Sequence, residues 1–224
     1  MSADTQSFSG RPLARFAVIV SPVFVIALGH FTAVWGQSLM GVQAWLPLTA
    51  VFWAVMIAVI AVAGGMKGFA ARLGAGKGGW LWPFFSVLIG LAPLPLMILH
   101  WQVLASPAIW LPWLVFAAIN PFLEEGYWRG ALLDATSRWP AWLAVTYTSL
   151  VFAASHPLMW GTFSIANRTP ETVVITFLMG VVWAVTYRRT GTLRSVVAAH
   201  MVTDLLNLSI AAFMNLFTTS APLW

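Results

Sequence analysis

A chain of 224 residues, 60 % hydrophobic and only 8 % charged, has the length of one domain but not the composition of a soluble globular protein. Its formal charge of +5 is spread between apolar runs rather than gathered on a soluble module, which fits membrane topology and argues against a nucleic-acid partner. With no cysteine, disulfides, thiolate metal sites and cysteine nucleophiles are all excluded.

The expected fold is all-α: a polytopic transmembrane helical bundle of about seven spans, forming one integral membrane domain over residues 1–224. Barrel strands would need segments of about ten residues with alternating polarity, and none is found. Residues 1–12 read as a short polar tail without a motif. The first apolar run, Phe16 to about Val34, is longer than a signal h-region and lacks a small-residue cleavage site, so it reads as a retained helix. The spans expected in chain order are roughly 14–34, 45–65, 80–101, 108–136, 140–158, 171–187 and 193–215, each run approaching the roughly 20 apolar residues that cross a bilayer. Between the second and third, residues 66–79 read either as a short basic helix on the membrane surface or as a flexible loop. The fourth is long for a simple span, and Pro121, which lacks a backbone donor, marks a kink. Trp80, Trp82, Trp101, Trp110 and Trp113 fall near helix ends, where tryptophan anchors at the interface.

Placing the N-terminus in the cytoplasm puts Arg11, Arg15, Lys67, Arg72, Lys77, Arg138, Arg188, Arg189 and Arg194 on that side. Only Arg168 falls outside and Arg129 is left within the membrane, an asymmetry that fits the positive-inside rule and an odd number of spans.

Three carboxylates lie at membrane depth, where a charge costs on the order of 3 kcal/mol or more and so needs a partner or a function. Glu124 and Glu125 open the segment Glu124-Glu125-Gly126-Tyr127-Trp128-Arg129. On a helix Glu125 and Arg129 are i,i+4 and share a face, which reads as a structural ion pair. Glu124 points about 100° away and is left without a partner in this segment. A second cluster is Phe152-Ala-Ala-Ser-His156, and a third is His200-Met-Val-Thr-Asp204, again i,i+4. Taken singly, His156 reads more readily as a hydrogen-bonded packing residue than as a catalytic one, and the third cluster reads equally as a buried dyad. By helix rise Glu124 lies roughly 20 Å, His156 about 22 Å, Asp204 about 17 Å and His200 roughly 11 Å from their cytoplasmic ends. Allowing for tilt, three helices deliver these four groups to one layer. His30 and His100 have no such company and read as structural or interfacial.

With these motifs the chain resembles the CPBP family of intramembrane endopeptidases, also called the Abi or type II CAAX-protease family. That family is marked by E-E-x-x-x-R, F-x-x-x-H and H-x-x-x-N/D on separate helices. Here they stand as Glu124-Glu125…Arg129, Phe152…His156 and His200…Asp204, with Gly130 after the arginine. The resemblance covers a catalytic core of about 117–212 and implies catalytic roles for Glu124, His156, His200 and Asp204. Trp128 replaces the phenylalanine of many members, which reads as conservative. Asp204 replaces the asparagine of the prenyl-protein proteases. An amide donates to an oxyanion and an ionised carboxylate cannot, so Asp204 in that role is protonated or acts through water or His200.

Peptide hydrolysis needs a base for water, a stabiliser for the oxyanion and an acid for the leaving amine. Glu124 suits the first, and His200 with Asp204 the others. The competing arrangement gives Glu124, His156 and His200 to a zinc ion with an open water position; metal-free glutamate catalysis is the expectation. Other intramembrane chemistries fit worse. There is no H-E-x-x-H, Gly36-Gln37-Ser38 lacks the closing glycine of a nucleophile elbow, Ser155 diverges from its neighbour His156, and Asp134 lies too near a helix end to meet Asp204. The expected partners are membrane lipid and a membrane-associated protein or peptide substrate, reached from the cytoplasmic side. The rival readings are a catalytically silent bacteriocin-immunity or scaffold protein and a proton-coupled transporter, which also places carboxylates and histidines at mid-membrane.

Overall fold

The structure, a computed structural model, describes Phe8 and residues 11–217. Most of the polar tail expected over 1–12 lies outside the described residues. The fold is helical throughout, with no strand among the described residues. Its elements are α1 (Pro12–Met40), α2 (Trp45–Val62), α3 (Gly65–Arg72), α4 (Leu81–Gly90), α5 (Leu94–His100), α6 (Pro107–Glu125), a π-helical segment (Gly126–Leu132), α7 (Leu133–Ala135), α8 (Ala141–Leu158), α9 (Pro170–Thr190), α10 (Arg194–Leu206) and α11 (Ser209–Phe213). Four stretches are long and apolar enough to cross a membrane: Pro12–Val62, which contains both α1 and α2, Leu81–Ala105, Pro107–Ala135 and Pro170–Thr190. The protein is an integral membrane protein by these spans, and Phe16, Phe24, Phe31, Ile57, Leu88 and Ile98 face outward as lipid contacts require.

Local chemistry accounts for the ends and flaws of these helices. Thr169 caps α9 by accepting from the Thr172 backbone N–H at 3.2 Å, and Gly191 ends it in the left-handed conformation, φ 67°. Inside α1, Pro22 has no N–H for the Val18 carbonyl; the Ser21 hydroxyl donates to that oxygen instead, at 2.8 Å. Helices approach closely where a side chain is missing. A Cβ on Gly180 of α9 would lie 2.9 Å from Ser149 Cβ of α8, and one on Gly90 of α4 would lie 2.7 Å from the Ala199 carbonyl oxygen of α10.

One end of the bundle collects the basic segments. Arg15 Nε donates to the Ala135 carbonyl at 2.6 Å, Arg194 Nε to the Leu73 carbonyl at 2.6 Å, and the Lys77 backbone N–H to the Thr190 carbonyl at 2.7 Å. Of the two readings for residues 66–79, the helix is realised over Gly65–Arg72 and a loop follows. Arg72 is buried there against Asp134, at 2.9 Å.

Three expected spans are irregular. The expected third breaks between α4 and α5, where Gly90, Pro93 and Pro95 fall together and each proline removes a donor. The last breaks at Asn207–Leu208, with Leu208 in the left-handed region at φ 53°, a costly conformation for such a side chain. The fourth is not interrupted at Pro121; α6 runs through it, and the irregularity is the π segment that begins at Gly126. Trp113, expected at the interface, is instead 9 % exposed. Its indole N–H donates to the Asp204 and Leu205 carbonyls near the end of α10, each at 3.2 Å.

Candidate active site

A cavity of about 340 Å³ lies between α6, α8, α9, α10 and α11, and Glu124, His156, His200 and Asp204 all line it. Glu125 and Arg129 do not; they sit behind the wall, 0 % and 1 % exposed. The structure thus separates the residues singled out in the sequence into four that face the cavity and two that support it.

The supporting pair does more than neutralise itself. Glu125 Oε1 accepts from Arg129 Nη1 at 2.8 Å and also from His200 Nδ1 at 2.8 Å. The arginine is held from the other side by rings, its guanidinium carbon 4.4 Å from the Phe152 centroid and 5.2 Å from that of Trp183. Trp183 also stacks on the His200 ring at 4.9 Å. Glu125 therefore sets the rotation of His200. With Nδ1 donating to a carboxylate, Nε2 is the nitrogen left for the cavity, and it lies 3.7 Å from Asp204 Oδ1.

Glu124 has partners in its own segment, contrary to the expectation. Asn120 Nδ2 donates to Oε1 at 3.0 Å and Trp128 Nε1 to Oε2 at 3.1 Å. They stand four residues before and four after it, on the same helical face. Trp128 is therefore not a neutral replacement, since a phenylalanine has no N–H to offer. Each carboxylate oxygen keeps a second lone pair for a water molecule. The π segment starting at Gly126 has the wider turn often found at functional sites, and no apolar periodicity in the sequence announces it.

His156 stands in the last turn of α8 with Nδ1 3.1 Å from the Phe152 carbonyl. A carbonyl only accepts, so Nδ1 carries the proton and Nε2 of the neutral ring is an acceptor. Contrary to the expected divergence, Ser155 Oγ lies 3.5 Å from His156 Nδ1, but that nitrogen carries its proton and the hydroxyl donates to the Phe152 carbonyl at 2.7 Å, so the two do not form a base–nucleophile pair. His30 and His100 lie away from the cavity wall. His30 Nδ1 donates to the Leu158 carbonyl at 2.7 Å, and His100 stacks on Phe217 at 4.8 Å. Asp134 is likewise remote from Asp204, held by Arg72 and by the Tyr187 hydroxyl at 3.1 Å.

Among the described residues no group of three His, Asp or Glu side chains is arranged to hold a metal ion. In the set Glu124, His156 and His200, each Glu124 oxygen faces one N–H donor, and Nδ1 of each histidine is tied, to the Phe152 carbonyl or to Glu125, while Nε2 lies outside these bonds.

No residue of the basic loops lines the cavity. Its lining includes Ala92 and Pro95 at the α4–α5 break, and Trp160, Asn167 and Glu171 at the end of the bundle opposite the basic loops. Of these lining residues Ala92, Pro95 and Glu171 are exposed. The expectation of access from the basic side rests on the depth of His200 and Asp204 and on the basic loops drawing in an anionic peptide.

A family model described as type II CAAX prenyl endopeptidase Rce1-like matches residues 104–206, the stretch that holds Asn120, Glu124, Glu125, Arg129, His156, His200 and Asp204. No curated protein matches the chain, and no solved structure does. Over residues 104–206, the resemblance carried by the three motifs is a match to the Rce1-like family of CAAX-type endopeptidases.

Proposed function

We propose that this protein is an intramembrane endopeptidase that hydrolyses a peptide bond of a membrane-associated protein or peptide, using water activated by Glu124 and no metal. The family match supports a protease. One observation carries the finer reading: four groups able to exchange protons line one cavity, and one of them, His200, is oriented from behind by a buried carboxylate.

In this mechanism a water molecule bound between Glu124 and His156 Nε2 loses a proton to the Glu124 carboxylate. Its oxygen attacks the carbonyl carbon, and the negative charge moves to the carbonyl oxygen. His200, held by Glu125, presents Nε2–H to that oxyanion, with Asp204 beside it. When the C–N bond breaks, the proton on Glu124 passes to the leaving amine, and water has been added across the bond. Positioned acid–base groups contribute about 10²–10⁴-fold each, and a preorganised oxyanion donor is worth about 10²–10³-fold in kcat. The exposed lining residues at the α4–α5 break and at Glu171 favour a substrate segment that slides in from the lipid or from the face opposite the basic loops.

The silent-scaffold reading has no use for an oriented histidine at a cavity, and the transporter reading needs a polar route through to the basic end. Glu124→Ala, His156→Ala and His200→Ala, inserted in membranes at wild-type levels, test the proposal. Each is expected to lose cleavage of an anchored peptide by at least about 10²-fold. Retained cleavage in the Glu124 variant would remove it from the role of base, and ion flux in proteoliposomes would turn the reading to a transporter.

A further inference from the structure

Asn120 belongs to no motif singled out in the sequence, yet it is 1 % exposed and its side chain lines the cavity. Its Oδ1 accepts from Trp53 Nε1 of α2 at 3.0 Å. Its Nδ2 lies 3.0 Å from Glu124 Oε1 and 3.1 Å from Asp204 Oδ2. The indole N–H can only donate, so it fixes which way the amide faces: oxygen to Trp53, nitrogen to the two carboxylates. Trp53 is itself fixed by stacking on Phe116, centroids 5.9 Å apart at 28°. The two hydrogens of one amide nitrogen thus serve two carboxylates on different helices, α6 and α10.

We propose that Asn120, aimed by Trp53, is the positioning residue that bridges Glu124 and Asp204 and holds the Glu124 carboxylate in its reactive orientation. This rests on the reading of Glu124 as the base. Two carboxylates on one cavity wall repel, and an unpaired buried carboxylate carries the full cost of its desolvation. A donor between them removes both penalties and leaves no rotational freedom: Trp128 holds Oε2 of Glu124 while Asn120 holds Oε1. The bridge also accounts for the aspartate at 204. Asp204 can only accept while ionised, and the amide that serves the pair is supplied from four residues before Glu124.

The experiment is a cycle of Asn120→Asp, Asp204→Asn and the double variant, with Asn120→Leu alongside. Each is purified in detergent and assayed on quenched fluorescent peptides carrying a lipid anchor, with melting temperature measured in parallel. Asn120→Leu is expected to lower kcat at least about 30-fold with KM within about threefold, since the amide oxygen is taken by Trp53 and both amide hydrogens by the two carboxylates. Asn120→Asp puts a third carboxylate between two others. Its loss is therefore expected to be at least about tenfold larger in the wild-type background than in the Asp204→Asn background. The same coupling is expected in the melting temperatures. Wild-type kcat in Asn120→Leu, or equal effects of Asn120→Asp in both backgrounds, overturns the proposal. Coupling in melting alone, with kcat unmoved, overturns it too and leaves Asn120 a structural residue. A wild type that cleaves nothing refutes the peptidase reading instead, and the melting cycle still decides whether the bridge exists.

Discussion

Among the described residues there are two buried arginine–carboxylate pairs, and they are put to different uses. Arg72 and Asp134 meet at 2.9 Å at the basic end, where the third member is the Tyr187 hydroxyl. Arg129 and Glu125 meet at 2.8 Å in the middle of the bundle, where the third member is His200. The first pair ties α3, α7 and α9 together, and none of its members lines the cavity. The second ends in a ring that does. A buried ion pair is weak evidence for stability, because desolvation offsets the Coulomb gain. What distinguishes the second pair is that its carboxylate has a histidine to aim.

The largest effects are expected at the second pair. Arg129→Ala leaves Glu125 with His200 as its remaining partner, and breaking a buried ion pair costs roughly 3–5 kcal/mol. Folded yield and melting temperature are expected to fall steeply, and Glu125→Ala/Arg129→Met to recover part of the loss. Cleavage by that double variant is expected to stay low, because His200 has lost its orienting carboxylate. Recovery of both stability and kcat would reduce Glu125 to a packing role. Arg72→Ala is the control at the other end. Its cost is expected near the lower limit, about 3 kcal/mol, since Tyr187 still donates to Asp134. The kcat of the folded fraction is expected to be unchanged, and a lost kcat there would show that the two pairs are not functionally distinct.

Smaller effects are expected around Glu124. Trp128→Phe keeps the ring and removes one N–H; a loss of about 1.4 kcal/mol in the transition state is about tenfold in kcat. No change would mean that the indole donor is dispensable. The smallest effect expected is that of chelation. Cleavage should survive exhaustive treatment with a metal chelator, whereas loss of activity with recovery on adding Zn²⁺ would return Glu124, His156 and His200 to a metal site.

The helical class and the residues of the four-group cavity are legible in the sequence because both leave local traces. Apolar runs of membrane length give the first. Titratable groups within apolar runs give the second, and Glu124, His156, His200 and Asp204 stand out that way. What stays hidden depends on long-range geometry. The bond from Glu125 to His200 joins residues 75 apart, and no spacing rule reaches that far. Asn120 looks like one polar residue on an apolar helix, although a polar amide four residues before Glu124 is a signal that can be read. Trp128 passes for a conservative replacement when its ring is considered without its N–H. The π segment and the break at Leu208 depend on how helices pack, which hydropathy does not record. The prolines at 93 and 95 do mark the third break, on the same principle that fails at Pro121.

The central claim is that Glu124 activates water at this cavity, and a single replacement tests it. Glu124→Gln preserves size and leaves Oε1 as an acceptor for Asn120 or Trp128, so the protein is expected to fold and insert as the wild type does. Purified side by side in detergent and given the same anchored, quenched peptides, the wild type is expected to cleave and Glu124→Gln to be slower by at least about 10²-fold. Equal cleavage by both proteins, at equal folded concentration, would contradict the account.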